Sequence, residues 1–263
     1  MEYLNMKSFL FVATAVACVS SAASASVIYS TGFNASEGYV VGNLNGQQGW
    51  TTYQPGAGTG SAAASITADG TVQMNSGTSA AESARFAWHG NYGADFDIER
   101  AAGNTRLYTS VDMNVPRAQT SVGRIGVYNY DVTGTKILSG FFIQLNTGIL
   151  SLVGSYNNAG TVGNYSFTTT TAITFDTWTT MTTTWDSDTG RFQVFMGATG
   201  FFVDGAAAGS TADETDFYST RNNGTVAGTA FFDNLEVGTT VPAPGAFALL
   251  GVAGLVGGRR RRS

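Results

Sequence analysis

Between residues 27 and 237, short runs of alternating apolar and polar residues recur about every ten positions, separated by Gly, Asn, Asp and Ser. In the clearest run, residues 106–115, every second side chain from Leu107 to Val115 is apolar or Thr, and those between are mostly polar. A period of two predicts β-strands with one buried face. Pro116 ends this strand because it lacks the amide hydrogen that a sheet needs.

A hairpin is predicted further along. Residues 178–185 and 191–196 have strand patterns, and the turn between them ends at Gly190, which tolerates the positive φ that such a turn requires. The last strand covers residues 229–237. Because we find neither a helical period nor an internal repeat, the pattern predicts one all-β domain at residues 26–238, built as a sandwich.

The N-terminus has the pattern of a secretion signal. A basic residue precedes an apolar run at residues 9–19, and the small residues Ala23 and Ala25 form a cleavage site. We therefore expect residues 1–25 to be removed on export. Cys18 is the only cysteine, so the mature domain has no disulfide; acylation of Cys18 in a lipoprotein is the alternative.

The C-terminus has three parts: a proline motif, an apolar segment at residues 245–258 and a basic cluster. The apolar segment would form a helix of about 21 Å, shorter than a hydrocarbon core of about 30 Å. A basic cluster after an apolar run is typical of a stop-transfer signal. The motif is Val241, Pro242, Ala243 and Pro244, and the cluster is Arg259, Arg260, Arg261 and Arg262.

This order resembles the PEP-CTERM sorting tail of bacterial envelope proteins, in a variant with Ala243 in place of the usual Glu. The resemblance covers about the last 23 residues of the predicted tail, which with its linker spans residues 239–263. It implies that the tail anchors the protein transiently in the inner membrane and that an exosortase-type enzyme cuts it near the motif. It also implies delivery to the cell surface or the extracellular polysaccharide matrix.

Composition and charge narrow the function further. Only 12% of the residues are charged, whereas 12% are aromatic and 34 are Gly, as expected of an extracellular β-sandwich. The net charge is −5, and it becomes about −9 for residues 26–257, where leaving out five bases and Glu2 at the two ends keeps 8 bases and 17 acids. A domain this acidic, without a basic cluster, is a poor ligand for nucleic acid.

A second resemblance concerns the domain itself. The segments at residues 42–50 and 178–195 and the closing strand around Phe232 are similar to parts of concanavalin A-like, or laminin-G-like, jelly rolls. The likeness covers residues 27–238 and implies a single jelly-roll β-sandwich. Jelly rolls include lectins, glycosidases, lyases and scaffolds, so the resemblance does not name an activity.

The sequence contains no complete catalytic motif. Jelly-roll glycosidases of the laminarinase type carry Glu-x-Asp-x-x-Glu, and the nearest match begins with Glu214 and Asp216 but has Ser219 at the position of the general acid. We interpret this segment as a solvated acidic loop. Alternation at residues 95–99 would place Asp95, Asp97 and Glu99 on one strand face, as a cation site, a catalytic pair or an ordinary exposed strand.

His89, the only histidine, is flanked by Trp88 and Tyr92 at close spacing. It could line a sugar cleft or act as the base of a lyase, but the Arg-rich strand and Gln-x-His motif of alginate lyases are missing, so we interpret it as a surface-loop residue. Tyr128 and Tyr130 should project together from the solvent face of their strand. Sugar rings stack on such aromatics, which makes Trp88, Tyr92, Tyr128 and Tyr130 the candidate ligand-binding residues.

The closing strand suggests a metal. If residues 229–237 alternate strictly, Asp233 shares a face with Leu235, and an acid there needs a hydrogen bond or a cation. In calcium-stabilised carbohydrate-binding sandwiches an Asp at this place joins ligands from the first strands, and Asn34 is the matching residue here. A bulge or plain hydrogen bonding is the alternative to a structural Ca²⁺. Trp50, Trp178 and Trp185 are expected in the core.

Together these patterns predict an exported, tail-sorted surface or matrix protein whose jelly roll binds a polysaccharide without catalysis and requires no cofactor. The alternatives are a purely structural envelope or biofilm protein without a ligand, and a jelly-roll glycoside hydrolase or lyase.

Overall fold

The computed structural model describes residues 26–76, 84–117, 119–220 and 228–239. The predicted signal peptide and sorting tail lie outside these residues. Two antiparallel sheets pack face to face, which confirms the predicted β-sandwich. In the described ranges, no helix is both long enough and apolar enough to cross a membrane.

The elements follow the chain in this order: β1 Ser26–Thr31, a 3₁₀ helix Ala35–Glu37, β2 Gly42–Asn43, β3 Thr51–Gln54, β4 Gly58–Thr59, β5 Ala64–Ile66, β6 Val72–Asn75, β7 Ala84–Gly90, α1 Gly93–Ala101, β8 Arg106–Asn114, β9 Arg124–Asp131, β10 Ile137–Gln144, β11 Ile149–Asn158, β12 Thr161–Ala172, β13 Thr179–Asp186, β14 Phe192–Met196, β15 Thr199–Val203, β16 Ala212–Thr220 and β17 Thr229–Thr239.

Sheet A has the strand order β15-β14-β13-β8-β17-β6-β5-β2, and β1 pairs with the far end of β17. Sheet B has the order β12-β11-β10-β9-β16-β7-β3-β4. In both sheets a late strand lies between early ones, because β17 separates β8 from β6 and β16 separates β9 from β7. Residues far apart in the chain therefore become neighbours across each sheet.

The apolar core lies between the two sheets. On β8 the side chains of Leu107, Val111 and Met113 are buried in it, as the alternating pattern predicts. Trp50 and Trp185 are fully buried, which confirms two of the three tryptophans expected there. The third prediction is wrong: Trp178 is 45% exposed, because β13 begins one residue later and leaves it outside the sheet.

A polar network crosses this core at Asn129. Its Oδ1 accepts hydrogen bonds from Thr109 (2.7 Å) and Thr215 (2.8 Å), and its Nδ2 donates to Ser139 (3.0 Å) and Thr183 (2.9 Å). Two of these partners belong to sheet A and two to sheet B. The buried amide is thus fully satisfied, and it joins the two sheets through four hydroxyl groups.

The prediction of a strand at residues 95–99 is wrong, because these residues lie in α1. Phe96 is fully buried, whereas Ile98 is 67% exposed, so the two apolar residues do not share a face. Asp97 pairs with Arg100 at 2.8 Å, and Glu99 accepts a hydrogen bond from Asn104 at 2.7 Å. In a helix, residues two apart point in different directions, so the three acids do not share one face, although Asp95 and Glu99, four residues apart, lie on the same side of α1.

The closing strand does not alternate strictly, and the bulge given above as the alternative to a calcium site is present. Asn234 has a φ of 49°, and the pairing with β8 shifts between Asp233 and Glu236. Phe232 and Leu235 both point into the core on either side of this bulge. Asp233 therefore points to the outer face, opposite Asp112, and is not an acid on an apolar face.

Candidate ligand-binding face

The face of sheet B that points away from the core is the candidate functional site. On β16, Thr215 points inward, since its hydroxyl bonds to Asn129 inside the core. Asp216 must then point outward, because neighbouring side chains on a strand alternate. The register places Trp88 of β7 and Tyr128 of β9 directly beside Asp216, on opposite sides.

Aromatic rings continue from this row along the same face. The ring centroids of Phe86 and Tyr218 are 5.0 Å apart, those of Tyr218 and Tyr128 are 4.6 Å apart, and those of Tyr128 and Tyr130 are 6.3 Å apart. Trp88 belongs to the same side of β7 as Phe86, two residues away. We call these five residues the aromatic face: Phe86, Trp88, Tyr128, Tyr130 and Tyr218.

Gly140 makes room for one of these rings. Gly140 lies on β10 and pairs with Tyr128 of β9. A Cβ at position 140 would lie 2.6 Å from Cδ1 of Tyr128 and 2.7 Å from the carbonyl oxygen of Val127. Any larger residue would collide with both. The missing side chain lets the Tyr128 ring lie over the neighbouring strand, where Phe142 and Val153 complete an apolar cluster on the outer face.

Asp216 is an unusual member of this face. It is 4% exposed, and its Oδ1 has no hydrogen-bond partner in the described part of the chain. Burial, followed by the charge of nearby Glu214, raises the pKa of Asp216 well above its usual range. Burial also raises the pKa of Glu214, with smaller contributions from Asp213 and Asp131. Two desolvated acids thus lie two residues apart on one side of β16.

The tyrosines of the face stay neutral. Burial raises the pKa of Tyr128, Tyr130 and Tyr218, so each keeps its hydroxyl proton at neutral pH. The cation of this face is Arg124, whose guanidinium lies 4.6 Å from the centre of the Phe142 ring. Arg124 pairs with Thr220, at the opposite end of β16 from Glu214.

The predicted ligand-binding residues are only partly brought together. Tyr128 and Tyr130 project from the same face, as expected, but Tyr128 is only 5% exposed and is not an open platform. Trp88 lies on the same face, separated from Tyr128 by Asp216 on the strand between them. Tyr92 does not: it is buried in the core, close to the rings of Tyr29 and His89. The sequence analysis missed Glu214, Asp216 and Tyr218 as members of the face, although their alternation with Thr215 and Phe217 is a strand pattern.

The interpretation of residues 213–219 as a solvated loop is therefore wrong, because they form the middle of β16 in the interior of sheet B. Ser219, which stands where the hydrolase motif has its general acid, is fully buried and donates a hydrogen bond to the carbonyl of Asn75. It points to the core side of the strand and cannot join Glu214 and Asp216.

His89 is not a surface-loop residue. It lies on β7, its ring stacks on Tyr29 with centroids 3.9 Å apart, and its Nδ1 lies 3.0 Å from the hydroxyl of Tyr92. Burial lowers the pKa of His89. Because it follows Trp88 directly, it points to the opposite side of β7 and does not reach the aromatic face.

The two residues proposed for calcium serve other contacts. Asn34 caps the 3₁₀ helix by accepting a hydrogen bond from the Ser36 amide at 3.1 Å, and Asp233 accepts one from the Asn234 amide at 2.8 Å. Across the described ranges, no group of three or more His, Cys, Asp or Glu side chains is placed to hold a metal ion. Calcium binding stays a prediction.

Comparison with family models and with characterised proteins finds no match. Among solved structures, the chain is similar to the CBM2 module of Dit from Lactobacillus casei BL23 phage J-1, with 11% identity, a TM-score of 0.52 and coverage of 82% of this chain and 97% of that one. It is also similar to family 7 alginate lyase A1-II′ (14% identity, TM-score 0.49, covering 73% of this chain and 95% of that one).

A sialidase matches at 10% identity and a TM-score of 0.49, over 73% of this chain, which spans only 17% of the sialidase. At identities this low, structural similarity is evidence of fold and not of activity. The fold is a jelly-roll sandwich, as the sequence analysis expects.

Proposed function

We propose that the sandwich is a non-catalytic carbohydrate-binding module and that its ligand lies on the aromatic face of sheet B. The observation that carries this proposal is the row formed by Trp88, Asp216 and Tyr128, in which a buried acid lies between two aromatic residues and its Oδ1 has no hydrogen-bond partner within the described residues. A folded domain rarely leaves a buried polar atom unsatisfied without a functional reason.

The chemistry of this row suits a sugar. Pyranose rings present apolar C–H faces that stack on aromatic rings, and their hydroxyl groups donate hydrogen bonds to carboxyl oxygens. Trp88, Tyr130 and Tyr218 are partly exposed and offer the stacking surface. Glu214 is also partly exposed and offers acceptor oxygens at the edge of the same face.

A non-catalytic role is supported by where the other candidate groups lie. Ser219 and His89 both point to the core side of sheet B, so neither can act with Asp216 on a bound sugar. A glycoside hydrolase remains the second candidate, because Glu214 and Asp216 lie about 6.6 Å apart along one strand face, a spacing compatible with a two-carboxylate mechanism.

We also propose that the protein is exported and sorted by its tail. The support comes from the sequence: the signal pattern of residues 1–25 and the resemblance of residues 239–263 to a PEP-CTERM tail. An exosortase-type enzyme would be the processing partner, and the cell surface or the polysaccharide matrix would be the destination.

The test is binding of the purified full-length chain to a panel of bacterial and algal polysaccharides, with Ca²⁺ and with EDTA. We expect saturable binding to one class, and a loss of at least tenfold in affinity for Trp88→Ala and Tyr130→Ala. Trp178→Ala removes an exposed tryptophan just before β13 of sheet A, away from the aromatic face, and is the matched control, which should bind as the wild type does.

Absence of binding to every glycan in both buffers would overturn the proposal and favour the structural alternative. Release of new reducing ends, abolished by Glu214→Gln, would replace it with the hydrolase. Loss of binding in EDTA alone would assign a role to calcium.

A further inference from the structure

Assuming the proposed glycan binding, we propose that the ligand is an amino-sugar glycan with free, protonated amines. Its ammonium group would be held at the end of the aromatic face where Glu214 and Asp216 lie. The evidence is the distribution of charge, the unsatisfied carboxyl oxygen and the neutral aromatic surroundings of the two acids.

Acidic side chains are concentrated at this end of the face, and they have no cationic partner among the described contacts. The salt bridges given by the described residues join Arg to Asp elsewhere, at Asp97, Asp176, Asp186 and Asp204, and none includes Glu214 or Asp216. Arg124 lies at the other end, about 13 Å from Asp216 along the strand direction, and its guanidinium already packs on Phe142.

A cationic ligand would relieve two unfavourable features at once. Each acid is desolvated, and the charge of Glu214 disfavours ionisation of Asp216. An ammonium beside Glu214 would compensate the charge of that carboxylate, and it would favour ionisation of Asp216 two residues away. A uronate glycan such as alginate would instead bring a third negative charge to the same place.

The rings around the acids favour the same ligand. Trp88 and Tyr128 flank Asp216 on the two neighbouring strands, and Tyr130 pairs with Glu214, so neutral aromatic residues lie beside both acids. Ammonium groups bind to the faces of such rings by cation–π attraction, most strongly where water is excluded. Glu214 is the partly exposed acid and makes the first contact, while Asp216 lies buried beside it.

The experiment compares two chemically matched probes by calorimetry: a hexamer of β-1,4-linked glucosamine and the N-acetylated hexamer of the same linkage, with an alginate hexamer as the anionic probe. The full-length chain is titrated at pH 6 and at low salt. We expect at least tenfold tighter binding of the glucosamine hexamer than of its acetylated form, and a weaker preference at high salt.

Variants of Glu214 and Asp216 measure how much the two acids contribute to the preference for a free amine. In Glu214→Gln with Asp216→Asn, the preference for the free amine should fall to about equal affinity, while stacking keeps some binding of both hexamers. Asp188→Asn removes an exposed acid from the hairpin turn of sheet A and should leave the preference unchanged. Circular dichroism of each variant checks that the sandwich is folded.

The outcomes separate this inference from the proposed function. Equal affinity for the two hexamers, with binding still lost in Tyr130→Ala, would overturn the amino-sugar ligand and keep the glycan-binding face. Preference for alginate would overturn it as well. Binding of no probe and no polysaccharide would overturn both proposals.

Discussion

Two consecutive residue pairs between β9 and β16 each contain a buried polar side chain, and the two side chains have opposite surroundings. On the core side, Asn129 pairs with Thr215, and its amide makes four hydrogen bonds to hydroxyl groups of both sheets. On the outer side, Tyr128 pairs with Asp216, whose Oδ1 has no partner within the described residues. Both pairs are almost fully buried.

This difference in hydrogen bonding indicates that Asn129 stabilises the fold and that Asp216 serves ligand binding. A satisfied buried amide contributes to the specific packing of two sheets, and removing it leaves several hydroxyl groups without partners. An unsatisfied buried acid is a cost to the fold, which a domain retains only where something else uses that group. Changes at Asn129 should therefore act on stability, whereas changes at Asp216 should act on ligand binding.

The largest effect is expected for Asn129→Ala. It removes the centre of the core network and leaves four hydroxyl groups, Thr109, Ser139, Thr183 and Thr215, with lost partners. We expect a loss of about 3 kcal/mol or more in the free energy of unfolding, measured by urea denaturation. Asn158→Ala, at an exposed hairpin residue, is the control and should change it by less than about 0.5 kcal/mol. Similar losses in the two variants would show that the network does not stabilise the sandwich.

Gly140→Ala tests how Tyr128 is packed on the outer face of sheet B. The added Cβ would meet both the Tyr128 ring and a backbone oxygen, so we expect a loss of about 1–3 kcal/mol in stability together with weaker glycan binding. Gly163→Ala, on the exposed strand β12, meets only a tyrosine ring at 3.4 Å and serves as the matched strand control. Unchanged stability and binding in Gly140→Ala would mean that Tyr128 is not held by this contact.

Asp216→Asn should raise the free energy of unfolding, whereas Asn129→Ala should lower it. Because the pKa of Asp216 is raised in the folded protein, the fold holds this proton more tightly than the unfolded chain does. The resulting penalty is absent below about pH 4, where both states are protonated, and grows as the pH rises toward the raised pKa. We expect the variant to be more stable than the wild type at pH 7 and equal to it near pH 3.

Denaturation of Asp216→Asn and of the control Asp188→Asn across pH 3–8 measures this effect. A variant less stable than the wild type at pH 7 would show that the ionised carboxyl has a favourable partner.

The smallest effect is expected where a polar contact is exposed. Arg191 and Asp204 form an ion pair at 2.7 Å, but both side chains are about half exposed or more. Asp204→Asn should reduce the stability by less than about 1 kcal/mol, and less still at high salt. Urea denaturation at two salt concentrations checks this, and a loss as large as that of Asn129→Ala would contradict the ranking by burial.

Several features of the site follow from strand periodicity, and others do not. Alternation on β9 was enough to place Tyr128 and Tyr130 on one side of their strand. The same rule applied to β16 would have placed Glu214, Asp216 and Tyr218 together, but three acids within four residues are typical of a surface loop, and that compositional signal was misleading. The helix at residues 93–101 was missed because alternating acids were interpreted as a strand face, although Tyr92 and Phe96 have the four-residue spacing of a buried helix side.

The sequence by itself determined the period of the strands, the single all-β domain and the side of β8 that faces the core, because these depend on local alternation between water and an apolar interior. Only the tertiary structure decided which strands are neighbours. Trp88, Tyr128, Gly140 and Asp216 come from four separate parts of the chain, and the jelly-roll order of sheet B places them in one row. That row depends on long-range hydrogen-bond register, which the local pattern of a single strand does not specify.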